Sequence, residues 1–409
     1  MNSRLNSFIW KMMYTLSILY IIMPILSRII STYLTTYTYM IIVVLIMLGI
    51  VFANGVESLN EYCGGVLLPF ILYNFLTFFT RSESSVLWGY SILLSLIPVV
   101  LGYFIVYKRG REVLYYRNII LAAFGITIIT TCIGLIRFPF AARILATIES
   151  SSDASAVLYN WYNIGGYDFI YMVVLLYPLL ILAYKRKKIG LIPTVISVIA
   201  LFLMVVLSEY TTALLLLLIT SLLFFVKRNP TSRDIVFFLI FSVVCMFVLE
   251  DLLSSFLQWV GSLTGSETMI ERLNSLAGGQ AGLEQSESNR IFLYERSIQT
   301  FFANPLFGTM LKGGGGVGGH SFILDTIGVY GIFGIALLFF MYRKIYRLFF
   351  EPFKNEDGYG YVLWLFLQSI LLSCINTGMW LPVLTLFTPV ILYKIYGYGE
   401  ENYEGSLDY

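Results

Sequence analysis

Long apolar runs, nearly free of charge and separated by polar segments, constrain the fold of this chain more than any other feature. The hydrocarbon core of a bilayer offers no water to a peptide group, so each crossing segment must satisfy its own backbone, as a helix of roughly 20 apolar residues does. Reading for such runs gives about twelve. They are centred on residues 14–30, 37–53, 64–79, 85–107, 118–136, 167–184, 190–207, 211–226, 235–253, 321–341, 361–375 and 381–395. Only 12% of the residues are charged, against roughly 25% in an average soluble domain. The expected fold class is therefore all-α: a polytopic membrane protein of about 12 transmembrane helices, forming one integral membrane domain over 1–409.

Basic residues set the orientation, because Lys and Arg in short loops stay on the cytoplasmic side. Arg4 and Lys11 precede the first run, Lys108, Arg109, Arg111 and Arg117 follow the fourth, and Lys185 to Lys188 follow the sixth. Lys227, Arg228 and Arg233 follow the eighth, and Arg343, Lys344, Arg347 and Lys354 follow the tenth. With twelve helices, both termini are then cytoplasmic, including an acidic tail over 398–409 that lacks an apolar period and is expected to be disordered. Two long loops, 137–166 and 260–319, fall on the extracytoplasmic face. Long loops without spans are commonly functional, so function is sought there.

Several chemistries find little support. Cys63, Cys132, Cys245 and Cys374 lie in or beside apolar segments with no close pairing and no neighbouring histidine, as small core residues do. Glu250 and Asp251 have no histidine or third carboxylate close in sequence, so no metal site and no cofactor is expected. The run ahead of residue 30 lacks a small-residue cleavage site and reads as a span. No repeat of 20 to 50 residues is evident, which weakens the case for a transporter of inverted halves. Nothing points to nucleic acid.

The second loop collects charge, glycine and the chain's one histidine. Between residues 285 and 302, Ile291, Tyr294, Ile298 and Phe301 recur near helical spacing, with Arg290, Glu295 and Arg296 around them. This predicts an amphipathic helix at the membrane interface. Asn304-Pro305 ends it, since proline disfavours helical backbone in the preceding residue, and Leu306-Phe307-Gly308 turns the chain back toward the bilayer. A glycine run from Gly313 to Gly319, interrupted by Val317, follows; its free amides suit close approach to an anion. The Gly-x-Gly-x-x-Gly spacing at Gly313, Gly315 and Gly318 has no preceding strand and no Gly-Lys-Ser/Thr ending, so nucleotide binding is not the reading. His320 then sits where the loop enters the tenth helix, and an imidazole there suits proton transfer near neutral pH. Ser321 and Asp325 are four apart and share a helix face. His320 aligns poorly with Asp325, which argues against a hydrolase triad.

Arginine is the other unusual external element. The two loops hold Arg137, Arg143, Arg272, Arg290 and Arg296. Guanidinium groups stay protonated and bind phosphate bidentately, so an anionic substrate is implied, although Glu267, Glu271, Glu284, Glu287, Glu295, Glu149 and Asp153 are available as local partners. Arg272 beside Glu271 fits such pairing best. The first loop adds Trp161, Tyr162 and Tyr167 as flat faces for a sugar, which are equally the anchors any membrane interface carries, and Asp168 as an acceptor for sugar hydroxyls.

Arg290, Asn304-Pro305-Leu306-Phe307-Gly308, His320-Ser321 with Leu324-Asp325, and the following Gly328, Gly331 and Gly334 resemble the Wzy family of O-antigen and capsular polysaccharide polymerases. The Gly165-Gly166-Tyr167-Asp168 stretch is similar to the other external loop of these enzymes, while the long glycine run before His320 departs from the commoner pattern. The resemblance implies a metal-independent glycosyltransferase of the bacterial cytoplasmic membrane. Its substrate would be an undecaprenyl-diphosphate-linked oligosaccharide, and its partners the bilayer, a flippase and a chain-length regulator. In that chemistry a cation stabilises the departing diphosphate, the first choice being Arg290, then Arg296 and Arg137, with Arg143 nearby. His320 takes the proton of the attacking hydroxyl. Gly318, Gly319, Ser321, Asp325, Tyr167 and Asp168 are the expected contacts to diphosphate or sugar. An O-antigen ligase would use the same donor with another acceptor. A flippase would line a cavity with charges inside its spans, which this sequence does not do. A passive subunit would have no use for the loop's Arg and His.

Overall fold

Apolar residues around the whole circumference of a segment, instead of along one stripe, make a helix that is buried or lipid-facing on every side, and such helices build this protein. The computed structural model describes residues 3–33, 98, 100–102, 113–139, 141–146, 154–208, 210–226, 230–248, 280–310 and 316–397. No strand occurs among the described residues. The expected spans at 37–53 and 64–79, most of 85–107, the segment 260–279 and the tail 398–409 lie outside them.

In chain order the helices are α1 (Ser3–Ile22), α2 (Pro24–Tyr33), α3 (Val113–Arg137), α4 (Ala141–Ala146), α5 (Ala154–Trp161), α6 (Tyr167–Lys185), α7 (Leu191–Ser208) and α8 (Thr211–Ser221). They continue with α9 (Ser232–Val248), α10 (Gln280–Ala303), α11 (Phe322–Phe349), α12 (Tyr359–Ile375) and α13 (Thr388–Tyr396). A π-helical segment, Pro382–Phe387, leads into α13. Among the described residues α3, α6, α7 and α11 are long and apolar enough to cross a membrane, and the bent pair α1–α2 makes a fifth if it counts as one span. The segments Thr211–Phe224, Tyr359–Ile375 and Pro382–Tyr396 are shorter apolar helices.

The first run differs from the single span expected over 14–30. It breaks at Met23, and α2 leaves α1 at 113°. Pro24 has no N–H to donate and its ring clashes with a continuing helix, so it serves as the first residue of a new one. The orphaned Ile25 N–H is taken by Oδ1 of Asn163, 3.2 Å away and 138 residues later in the chain.

Helix α6 is the central element. It packs against α7, α8, α12 and α13, and 72% of its most apolar window is buried. Around it, α3 and α7 pair and turn rows of isoleucine outward: Ile126, Ile129, Ile133 and Ile136 on one, Ile192, Ile196 and Ile199 on the other. Spacings of three and four along uncharged ridges are those of a surface facing lipid, and together with the span-length helices they make this a helical membrane protein.

The 19 residues of α6 cover about 28 Å at 1.5 Å per residue, and two different surfaces gather at its ends. At the C-terminal end Lys185 Nζ donates to Phe224 O at 2.6 Å. Arg186 meets Glu356 at 3.9 Å, donates to Asp357 O at 2.8 Å and lies 4.6 Å from the centroid of Tyr396. At the N-terminal end stand residues 137–139, 141–146 and 154–166, Tyr210, the 316–321 loop and the 376–380 linker.

Candidate functional site

Three threonines of α3 build the entry to α6. Asn163 Nδ2 donates to Thr127 Oγ1 at 3.2 Å and to Thr130 Oγ1 at 3.0 Å, Thr130 Oγ1 donates to Asn163 O at 2.8 Å, and Gly165 N donates to Thr131 Oγ1 at 2.8 Å. Asn163 is buried with φ +55°, a left-handed conformation that asparagine tolerates better than most residues. Its side chain therefore ties α2, α3 and the start of α6 into one unit. Polar pairing of this density is what a loop buried beside apolar helices needs, since each unpaired group would cost about 1–3 kcal/mol.

Tyr167 and Asp168 follow directly. Asp168 is exposed in the first turn of α6, where the helix dipole favours a negative charge. Tyr167 belongs to an aromatic cluster with Tyr171, Tyr210 and Trp380, with ring centroids 4.6 to 6.5 Å apart. Tyr210 donates its hydroxyl to Ala142 O at 2.6 Å, which binds α4 to the start of α8. Trp380 is buried with φ +55°, and its indole N–H has no partner among the described residues.

The 376–380 linker connects this cluster to the second loop. Phe322 N donates to Asn376 O at 2.9 Å, and Tyr294 donates its hydroxyl to Ile375 O at 2.8 Å. The N-terminus of α11 and the middle of α10 therefore sit beside the same linker whose other end stacks on α6.

Helix α10 runs further in the N-terminal direction than the 285–302 expected from its periodicity. Ser297 and, in part, Leu293, Tyr294 and Phe301 face the protein, whereas Phe292, Glu295, Arg296, Ile298 and Phe302 are exposed. Ile298 therefore lies on the outer face and not with the packed one. Asn304 accepts from Gly308 N at 2.8 Å, and the turn so formed is wedged into a break in α11. At Gly331 the backbone adopts φ 63°, ψ −145° in mid-helix, and the freed amides of Ile332 and Phe333 donate to Pro305 O (2.8 Å) and Leu306 O (3.4 Å). The Asn304 to Gly308 motif is thus the second half of a joint completed by Gly331.

From Gly316 onward the loop lies along α10. Arg296 Nε and Thr300 Oγ1 both donate to Gly316 O, at 3.1 and 2.7 Å. Gly318 N donates to Ser297 Oγ at 2.9 Å, and a Cβ at Gly318 would stand 2.2 Å from Leu293 O, so only glycine fits there. Gly319 (φ +79°) and His320 are exposed. Ser321 caps α11 by accepting from Leu324 N at 3.0 Å. Asp325 accepts from Ser321 N at 3.1 Å through one oxygen and from Ser297 Oγ at 2.6 Å through the other.

The structure accordingly brings His320, Gly318, Gly319, Ser321, Asp325 and Arg296 into one assembly, with Tyr167 and Asp168 across the 376–380 linker. Ser321 and Asp325 spend their polar atoms on the fold itself. Arg290 is on α10, six residues before Arg296, and Arg143 is in α4. Arg137 closes α3, with its guanidinium 5.3 and 5.4 Å from the centroids of Phe138 and Tyr162. Arg272, Glu250 and Asp251 lie outside the described residues. Among the described residues no three His, Cys, Asp or Glu side chains group as a metal site would.

Ser297, Asn163 and Trp380 were not singled out by sequence as working residues. Ser297 had one signal, a small polar residue on the packed face of an amphipathic helix. Trp380 had none. Comparisons of the chain with protein-family models, with curated proteins and with solved structures return no match.

Proposed function

We propose that this chain is a polysaccharide polymerase that transfers a growing glycan from undecaprenyl diphosphate to an incoming lipid-linked repeat unit. The observation that carries the reading is the presentation of the single histidine. His320 is exposed on a loop anchored to α10, and the turn of α10 that holds the loop also holds Arg296 against Gly316 O. A neutral imidazole and a permanent cation on one rigid scaffold suit a reaction that removes a proton from an alcohol while negative charge grows on a leaving diphosphate.

In this reaction the anomeric carbon–oxygen bond to the diphosphate breaks, and the electron pair stays with the diphosphate. The acceptor hydroxyl forms the new glycosidic bond, and its proton passes to His320. Arg296, with Arg290 on the same helix, meets the developing charge. Each charge-assisted contact of this kind contributes about 1.5–3 kcal/mol. Tyr167 and Asp168, across the linker, offer a ring face and a hydroxyl acceptor for a sugar. Donor and acceptor both hang from membrane-held lipid, which fixes their depth and raises their effective concentration. The exposed apolar side chains of Phe302, Leu306 and Phe307 suit burial among lipid headgroups and acyl chains.

The alternation of basic clusters along the sequence supports an outward orientation of this end, on the outer face of the bacterial cytoplasmic membrane. A flippase would supply the substrate there, and a chain-length regulator would act on the product. The test is His320→Ala and Arg290→Ala at equal membrane abundance. Chain extension is lost in both variants, and normal polymer in both would remove the mechanism.

A further inference from the structure

We propose that Ser297 and Asp325 are positioning residues that fix the direction of the His320 imidazole, an inference that rests on His320 acting as the base. Among the described residues the imidazole makes no hydrogen bond, so the fold's hold on it acts through the backbone position and the Cα–Cβ direction from which the ring projects. That backbone is tied down on both sides of the histidine, and both ties end at one carboxylate. Upstream, Gly318 N donates to Ser297 Oγ, which donates in turn to Asp325 Oδ1 at 2.6 Å. Downstream, Ser321 N donates to Asp325 Oδ2 at 3.1 Å.

Ser297 Oγ has a single proton and two nearby acceptors, Leu293 O at 3.2 Å and the carboxylate at 2.6 Å. The shorter contact is to the charged group and is the stronger. Ser297 is 1% exposed, so water does not compete for it. Only Gly319 and His320 remain between the two anchors, both exposed. The arch they form has little freedom to turn.

An ordinary helix cap would need only Ser321 and one oxygen of Asp325. The second oxygen is used to reach across to Ser297 of α10, which Arg296 immediately precedes. The pair therefore sets base and cation in a fixed relation. Catalytic geometry is sensitive at this level, since a displacement of about 1 Å costs on the order of a hundredfold in rate.

Because His320 is the only histidine, imidazole resonances of 15N-histidine-labelled protein in lipid nanodiscs report on this arch alone. The wild type gives one narrow set of ring signals, and Ser297→Ala and Asp325→Ala give broadened or multiple sets. Asp325→Asn, which retains one acceptor, falls between. Turnover is measured in parallel with undecaprenyl-diphosphate-linked repeat units isolated from a strain lacking the protein. For Ser297→Ala, kcat falls at least about tenfold while KM stays within about twofold. Wild-type ring signals in Ser297→Ala and Asp325→Ala overturn the inference, as does unchanged turnover in them when His320→Ala is inactive. Turnover that survives in His320→Ala overturns the assignment of the base instead, and the ring signals still decide whether the pair orders the imidazole.

Discussion

Replacing Gly331 by alanine should loosen the joint between α11 and the Asn304 to Gly308 turn, and the structure gives the size of the effect. The backbone at Gly331, φ 63° and ψ −145°, lies near a region reserved almost wholly for glycine, where another residue is strained by about 1–3 kcal/mol. The added methyl would stand 2.5 Å from Pro305 O and 2.6 Å from the Leu306 carbonyl. Those two carbonyls accept from Ile332 and Phe333, so backing the turn away to make room weakens both hydrogen bonds, at about 1 kcal/mol each. The sum is a loss of roughly 3–5 kcal/mol. Gly125 provides a control within the same fold: it is inside α3, and a Cβ there meets nothing within 4 Å. Gly125→Ala should therefore gain about 0.5–1 kcal/mol from helix propensity alone. Equilibrium unfolding of both variants in mixed micelles of dodecyl maltoside and SDS measures the difference. A Gly331→Ala protein within about 1 kcal/mol of wild type would refute the wedged joint.

Other perturbations follow from named contacts. Asn163→Ala removes the acceptor of Ile25 N and both donors to Thr127 and Thr130, and thermal unfolding should show a loss of roughly 2–4 kcal/mol. At the opposite end of α6, Glu356→Gln should cost under about 1 kcal/mol, because its ion pair with Arg186 is long and partly exposed. Arg186→Ala should cost more in the same assay, since it also gives up the bond to Asp357 O and the Tyr396 ring. Arg296→Ala should slow chain extension about 10–100-fold, the rate equivalent of one charge-assisted contact. Arg137→Ala should slow it less, since that guanidinium is set against Phe138 and Tyr162; equal losses for the two arginines would contradict the placement of the site around α10.

Much of this architecture can be read from the chain itself, for physical reasons. Apolar runs in the 118–136, 167–184, 190–207 and 321–341 segments correspond to α3, α6, α7 and the first part of α11, because in lipid the backbone has no alternative to helix. The end of α10 at Asn304-Pro305 and the position of His320 beside the cap of α11 were likewise legible, since proline and capping rules are local. What could not be read was long-range. The break after Ile22 is stabilised by Asn163 from 138 residues away, and the break at Gly331 by carbonyls of residues 305 and 306; neither partner is visible in a window of sequence. Periodicity does not say which side of α10 meets protein, because a helix at a membrane surface has two apolar neighbours, and Ile298 is on the exposed side. The resemblance makes Ser321 and Asp325 expected ligand contacts, and sequence does not show that their oxygens also engage Leu324 N, Ser321 N and Ser297, a role that depends on where α10 lies.

The most direct test of polymerase activity is the size and attachment of surface polysaccharide in a strain lacking this protein, compared with the same strain carrying it. The proposed function predicts single repeat units in place of long chains when the protein is absent, with long chains restored by the wild-type gene and not by His320→Ala. Full-length polymer left on its lipid carrier, or repeat units held on the cytoplasmic face, would contradict it, the first indicating a ligase and the second a flippase.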